Sequence, residues 1–196
     1  MKSFSNKYML LYALGLAAVV AVLLTLVATS LKPRQQKNQD AEKKQMILKT
    51  IGIETSREEA AELFEKNIRI PQKSNGEDDY YLFNGGVIIP LKGNGLWGPI
   101  GGYLALDSTF TVVGAVFTHE SETPGLGAEI ATDKFAQRFV GKQMASQPIV
   151  VKKKAVHNSI NEVDAISGST MTCNGVSAMM TAAFEHYSHL RKEVNK

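Results

Sequence analysis

Asp164-Ala165-Ile166-Ser167-Gly168-Ser169-Thr170-Met171-Thr172 stands just ahead of a run, Val176 to Leu190, whose apolar residues recur at helical spacing. The start of a helix offers unpaired backbone N–H groups and partial positive charge, so it favours a phosphate. Gly168 lets the main chain come close to such a group. Thr170 and Thr172 carry hydroxyls that can bond to a phosphate or be esterified by it. A plainer role is open to the same residues: Ser167 or Thr172 as the N-cap of the helix.

The 196 residues fit one domain plus an appendage. Hydrophobic residues make up 44% and charged residues 21%, ordinary values for a globular core. A net charge of +3, with no zinc-finger, basic-helix or RNP-like pattern, gives no footing for nucleic acid. The exception is Tyr8 to Ser30, an uncharged apolar run. It suffices for the roughly 20 residues that a membrane-spanning helix needs. The apolar core of a cleaved signal peptide is shorter, about 7–15 residues, and ends at a small-x-small site. No such site precedes Leu31-Lys32-Pro33-Arg34, and a retained anchor is expected. No carboxylate lies within the run, so no ion path is assigned to it.

The chain divides into a tail and anchor (1–30), a charged juxtamembrane linker passing into a helix (31–45), and a folded domain (46–196). Ile47, Leu48 and Ile51 give the incoming helix an apolar edge, and Gly52 is its stop. A second helix is expected from Arg57 to Ile68, capped by Ser56 with Glu59 three residues on. Asn75 to Asp79 reads as an acidic turn. Strands are expected at Tyr80–Phe83, Gly86–Leu91, Tyr103–Leu106 and Phe110–Thr118, the last two joined as a hairpin across Asp107-Ser108-Thr109. The glycine-rich stretch from Gly93 to Gly102 reads as an irregular crossing. Thr132 caps a short helix to Val140 that turns Phe135, Phe139 and Val140 inward. Ile149–Val156 is a further strand, and the last helix runs from about Asn174 to about Arg191. The sum is an α+β domain, a mostly antiparallel sheet flanked by helices.

A second segment, His119-Glu120-Ser121-Glu122-Thr123-Pro124-Gly125-Leu126-Gly127, turns at Pro-Gly. It can simply reverse the chain. It also suits a flavin: Leu126 as an apolar wall, Gly125 and Gly127 for close main-chain approach, Glu122 and Thr123 as hydrogen-bonding groups. Trp97 and Tyr103 are candidates for stacking on or lining the ring. His186 and His189 have no third ligand nearby in sequence and read as a solvated face. No metal site is expected. Cys173 is the only cysteine, which excludes an intrachain disulfide.

The first stretch resembles the flavinylation motif of membrane-bound respiratory flavoproteins, Asp-x-x-Ser/Thr-Gly-Ala-Thr/Ser. The matching residues are Asp164, Ser167, Gly168 and Thr170, with Ser169 where the motif usually carries Ala. The order of the Trp97-Gly98 loop, Gly102 to Asp107, Glu122-Thr123-Pro124-Gly125-Leu126-Gly127 and the Asp164–Val176 segment, behind one N-terminal span, is similar to that of the NqrC subunits of sodium-translocating NADH:quinone reductases. The RnfG-type flavin subunits of ferredoxin-linked complexes are the nearer alternative. A cofactor-free membrane-anchored assembly or binding protein is the alternative of another class.

The resemblance implies FMN held covalently on Thr170 through a phosphoester, installed from FAD by a Mg²⁺-dependent flavin transferase. Thr172 is the competing acceptor. Ser167, Gly168, Ser169 and Thr172 would lie at the phosphate end. The implied role is electron relay among partner subunits in a chain from NADH to ubiquinone coupled to sodium transport. No Gly-x-Gly-x-x-Gly follows a strand, so NADH oxidation is not assigned to this chain. Lys and Arg flanking the anchor favour a cytoplasmic domain. The resemblance implies the opposite, a domain on the periplasmic side of a bacterial inner membrane, and that expectation is adopted.

Overall fold

A computed structural model of the chain describes residues 6–71 and 80–190. The turn expected at Asn75–Asp79 and the end of the last helix at Arg191 lie outside them. Two compact units are present, residues 1–42 and 43–196.

Helix α1, Asn6–Thr50, runs unbroken through the segment expected to be a linker. Its stretch up to Leu31 exposes an almost continuous row of large apolar side chains, and it is long and apolar enough to cross a membrane. Pro33 sits within it, where its ring removes one backbone donor. The helix ends as its last turn foretells. Gly52, at φ +78°, lets its N–H reach the Lys49 carbonyl (3.1 Å) and the Ile53 N–H reach the Leu48 carbonyl (3.1 Å). This pair of bonds is a Schellman stop.

In the second unit, α2 (Ala60–Asn67) buries Ala60 and Phe64. Ser56 accepts a hydrogen bond from the Glu59 N–H (3.3 Å), as a capping residue does, but residues 57–59 form turns rather than helix. Five antiparallel strands follow in sheet order: β1 (Ile68–Arg69), β2 (Tyr81–Phe83), β3 (Gly86–Asn94), β4 (Pro99–Asp107) and β5 (Val112–His119). Alternation along β3 and β4 makes two faces. Val87, Ile89, Leu91, Ile100, Leu104 and Leu106 point into the main core. Ile88, Ala105 and Tyr81 pack with Ile47, Leu48 and Phe64 on the other face.

The stretch from Gly93 to Gly102 is not an irregular crossing. β3 and β4 pair without interruption from Gly86↔Asp107 to Asn94↔Pro99, and only Gly95–Gly98 form the tip. The glycines are there for close approach, not for disorder. A side chain on Gly93 would collide with Met179, and one on Gly102 with the Val116 carbonyl. The β4–β5 hairpin is present, but β4 starts at Pro99 rather than Tyr103, and its turn takes in Phe110, which was expected to open the second strand. Asp107 accepts from the N–H of Thr109 (2.8 Å) and of Thr111 (2.9 Å), and Phe110 takes φ +59°.

After β5 come a 3-10 turn (Gly127–Ala131), the short helix α3 (Asp133–Ala136) and a second 3-10 turn (Gln137–Phe139). Thr132 caps α3, its hydroxyl accepting from the Phe135 N–H (3.4 Å). Phe117, Phe135 and Phe139 form a three-ring cluster with centroids 4.8–5.5 Å apart. Val140 does not join it and is exposed, because the 3-10 turn ends at Phe139 and Val140 is already extended. The expected strand Ile149–Val156 shortens to β6 (Val150–Lys152). It pairs in parallel with β7 (Glu162–Asp164), a strand too short to be legible in sequence.

Helix α4 begins at Thr170, four residues before the expected start, and runs to His186. Its first intrahelical bond is from the Cys173 N–H to the Ser169 carbonyl (2.9 Å). Val176, Met179, Met180 and Ala183 face the core. Gly175 lies against the Asn94 carbonyl with no room for a side chain, so α4 rides directly on the end of β3.

Gly102→Ala is expected to lower stability by about 1–3 kcal/mol through overpacking against β5, measured by thermal unfolding of the detergent-solubilised chain. An unchanged midpoint would contradict the close approach of β4 to β5 at Gly102.

Candidate functional site

Two loops meet the start of α4. One is the tip Gly95–Gly98 between β3 and β4; the other is the segment after β5 that turns at Pro124-Gly125, where Gly125 takes φ +74°. Together they enclose a cleft of about 380 Å³ lined by Leu96, Trp97, Glu122, Thr123, Leu126, Gly127 and residues 168–172. That is the lower end of the roughly 300–1,000 Å³ usual for ligand sites.

The cleft is organised by Glu122, which is only 4% exposed. Its Oε1 accepts the Trp97 N–H at 2.9 Å, and its Oε2 accepts the Thr172 hydroxyl at 2.6 Å. The N–H groups of Leu96 and Gly98 also point to it. Three successive N–H groups converging on one anion form a nest. Burial alone would raise the carboxyl's pKa, but the bonds from Thr172 and from the tip N–H groups outweigh burial and hold it below the usual glutamate range. Gly127 and Gly95 leave the space this carboxylate occupies; a side chain on either would strike it.

The two threonines therefore differ. Thr172 is 2% exposed and its hydroxyl is committed to Glu122. Thr170 is exposed on the first turn of α4, at the cleft. Gly168, at φ +79°, turns the chain into the helix, and Ser169 becomes the N-cap residue in place of Ser167 or Thr172. Ser169 makes no capping bond with its side chain. Its Oγ is buried and has no hydrogen-bond partner among the described residues.

Of the residues singled out in sequence, Trp97, Glu122, Thr123, Leu126, Gly127, Gly168, Ser169, Thr170 and Thr172 come together here. Ser167 is exposed beside the cleft but does not line it. Tyr103 is not brought here. It packs on the other face of the sheet, edge-on to Tyr81 at 6.3 Å, since odd positions of β4 face away from α4. Glu122 lines the cleft with its carboxylate bonded to the Trp97 N–H and the Thr172 hydroxyl. Trp97 is 67% exposed and so is no core residue; with Leu96, Leu126 and Met171, also exposed, it makes an apolar rim.

Leu96 and Met171 were missed in sequence. Starting α4 at Thr170 would have set Met171 on its exposed first turn. Arg138 was also missed. Its Nη1 donates to the carbonyls of Asp164 (2.7 Å) and Ala165 (3.2 Å), pinning the segment that leads to Gly168. Nothing local in sequence links residues 26 apart. The Asp164 carboxylate accepts the Ala155 N–H at 2.8 Å. Burial pushes the Cys173 thiol up, against the lowering effects of the Ile166 N–H and Arg138, so it stays protonated and inert. Among the described residues no group of three or more His, Cys, Asp or Glu converges on a metal position.

The contents of the cleft fit a flavin mononucleotide: an exposed hydroxyl at a helix start, an unsatisfied buried hydroxyl beside it, and an apolar rim with an aromatic ring. Residues 95–185 match the FMN-binding domain family. The NqrC subunit of the Na(+)-translocating NADH-quinone reductase of Chlamydia caviae is 36% identical over 125 residues, which are 53% of this chain and 39% of that one. Its Vibrio vulnificus counterpart is 27% identical across 83% of this chain and 84% of the relative. The crystal structure of the corresponding reductase subunit from Parabacteroides distasonis superposes with a TM-score of 0.71 at 32% identity, covering 81% of this chain and 95% of that one. That of Shewanella oneidensis NqrC, at 21% identity and a TM-score of 0.67, shares the fold. The fold and cleft are thus those of an FMN-binding domain. The chain belongs to the NqrC family, a subunit family of the Na(+)-translocating NADH-quinone reductase. The match to the Chlamydia caviae relative spans about two fifths of its length, 39%.

Glu122→Ala is expected to cost roughly 2–3 kcal/mol at neutral pH, because it orphans the tip N–H groups. Glu122→Gln keeps one acceptor and should cost less. Because the folded pKa is depressed, the carboxylate's contribution is fully present above the unfolded value and fades as pH falls through the folded one. The stability gap between wild type and Glu122→Gln should therefore narrow on acidification, as read from unfolding midpoints across pH. A constant gap would contradict the buried carboxylate knot.

Proposed function

We propose that this chain is an electron-transfer subunit of a membrane-bound, sodium-translocating NADH:ubiquinone oxidoreductase, with FMN held covalently on Thr170. The observation that carries the reading is the division of labour between the two threonines: Thr170 is open at the cleft, while the Thr172 hydroxyl is spent on Glu122. Membership of the NqrC family and the match to the FMN-binding domain support it.

In maturation a flavin transferase presents FAD and Mg²⁺. Thr170 would then be the acceptor: its oxygen would take the FMN-side phosphorus as the pyrophosphate bond breaks, with AMP as the leaving group and the hydroxyl proton passing to solvent. The link lies at the phosphate end, so its effect is tethering, which keeps the cofactor at high effective concentration beside its cleft. When bound, FMN supplies one- and two-electron redox chemistry, and the protein supplies position and electrostatics. Leu96, Trp97, Leu126 and Met171 would border the ring, and the start of α4 would hold the phosphate. Thr123 and Gly127 offer polar and main-chain approach at the ring or ribityl side.

The chain relays electrons between other subunits and does not itself bind NADH. α1 anchors it in the bacterial inner membrane as a single span, with the flavin domain on the periplasmic side. Its partners are the other subunits of the complex, the lipid bilayer and, during maturation, the transferase.

Co-expressed with a flavin transferase and run on a denaturing gel, the chain should fluoresce under ultraviolet light. Thr170→Val should abolish that band. Thr172→Val should keep it while lowering the unfolding midpoint, since Glu122 loses a donor. A dark wild-type band beside an active transferase would refute the covalent cofactor. A band lost only in Thr172→Val would move the attachment point.

A further inference from the structure

We infer that the loop between β6 and β7 is a second membrane contact, in which Lys152, Lys153, Lys154, Val156 and Ile160 seat the folded domain on an anionic phospholipid surface. The inference rests on the reading of α1 as a membrane anchor and is independent of the flavin. Lys152, Lys153 and Lys154 are consecutive and all exposed. On the same loop Val156 is 67% exposed and Ile160 55%. Single exposed apolar residues are ordinary on a protein surface. Two branched ones beside three ammonium groups make an amphipathic patch.

The patch does not come from a slack loop. The Ala155 N–H donates to the Asp164 carboxylate (2.8 Å), and the Val156 N–H to the Glu162 carboxylate (2.9 Å). The Ser159 N–H reaches the Val156 carbonyl (3.0 Å), and the Gln143 N–H reaches the Ile160 carbonyl (2.7 Å). The Lys142 ammonium donates to the Ser159 carbonyl. The main chain is thus braced while Val156 and Ile160 stay in the open. The same bonds commit the two nearby carboxylates to main-chain N–H groups. Asp164 stands opposite Lys152 in register, yet among the described residues none of the three lysines is in an ion pair.

Composition selects the occupant. Protein interfaces are depleted in lysine and enriched in aromatic residues, methionine and arginine, none of which stands between Lys152 and Ile160. Lysine with aliphatic side chains suits the boundary of an anionic bilayer, where ammonium groups meet phosphates and the aliphatic groups enter the acyl edge. Three lysines hold such a surface weakly by themselves. A domain joined to a membrane span meets it at high effective concentration, so a weak contact suffices. The contact limits the freedom of the folded domain about its anchor.

The test uses the full chain reconstituted into vesicles of phosphatidylcholine alone, or of equal parts phosphatidylcholine and phosphatidylglycerol. Cys173 is the only cysteine and is 1% exposed, so a polarity-sensitive maleimide dye labels His157→Cys selectively. In the anionic vesicles the dye should shift to shorter wavelength and be quenched by brominated acyl chains; in phosphatidylcholine it should do neither. Each of Lys152→Gln, Lys153→Gln and Lys154→Gln should lower the ratio of docked to undocked label roughly fivefold. Added salt should release the label. Val156→Thr combined with Ile160→Thr should reduce the quenching and leave the unfolding midpoint unchanged, as exposed positions do.

Equal dye signals in the two kinds of vesicle, or signals indifferent to the lysines, would overturn the inference and leave the anchor reading intact. Quenching indifferent to Val156→Thr and Ile160→Thr would overturn the seating of the aliphatic groups. A signal that appears only when partner subunits are added would give the loop to a protein and overturn the inference as well. Failure of the chain to enter either kind of vesicle would overturn the anchor reading and this inference together.

Discussion

One buried carboxylate ties together the pieces of chain that build the cleft. Glu122 leaves the end of β5, accepts the N–H groups of the β3–β4 tip, and takes the Thr172 hydroxyl from the first turn of α4. A buried charge is tolerated only when its lone pairs are filled, and here they are filled by elements far apart in sequence. The geometry therefore cannot form piecemeal. The tip that carries Leu96 and Trp97, the loop that carries Leu126, and the helix start that carries Thr170 are fixed by the same few bonds. Gly95 and Gly127 are part of this arrangement, since a side chain on either would occupy the carboxylate's place.

Around that knot the rest of the domain sets distance and direction. α4 reaches the tip because Gly175 lets it lie against the Asn94 carbonyl and Gly93 makes room for Met179. Deep burial of Val176, Met179 and Met180 holds the helix on the sheet. Arg138 grips the carbonyls of Asp164 and Ala165, and Asp164 grips the Ala155 N–H, so the approach to Gly168 is braced from both sides. What stays soft in chemistry, not in position, is the cleft surface: exposed apolar side chains, one accessible threonine and one unsatisfied serine. A rigid frame with an unsatisfied lining is what a preorganised ligand site needs.

Much of this was legible from local pattern. The Schellman stop at Gly52, the Asp107 turn, the Thr132 cap and the core face of α4 all follow from residue types at short spacing. So did the gathering of the two segments around Thr170 and Glu122, although there the resemblance to a known motif, not spacing, made the link. Where reading failed, the reason was non-local. The glycines of β3 and β4 look like loop residues until β5 and α4 stand against them. The threonines and serine before Asn174 look like caps until Thr172 finds Glu122 fifty residues away. Tyr103 has the composition of a ring partner, but the alternation of β4 sends it to the opposite face.

By itself the sequence determined an apolar N-terminal helix, an α+β domain, and a hydroxyl-rich helix start suited to phosphate, because these rest on periodicity and on local backbone chemistry. Only the tertiary structure decided that Glu122 ties the β3–β4 tip to the first turn of α4, that Thr172 is spent while Thr170 is open, and that Ser169 is left without a partner among the described residues. Hydrogen-bond donors and acceptors are assigned by proximity in space, and a buried group takes whatever partner the fold brings to it.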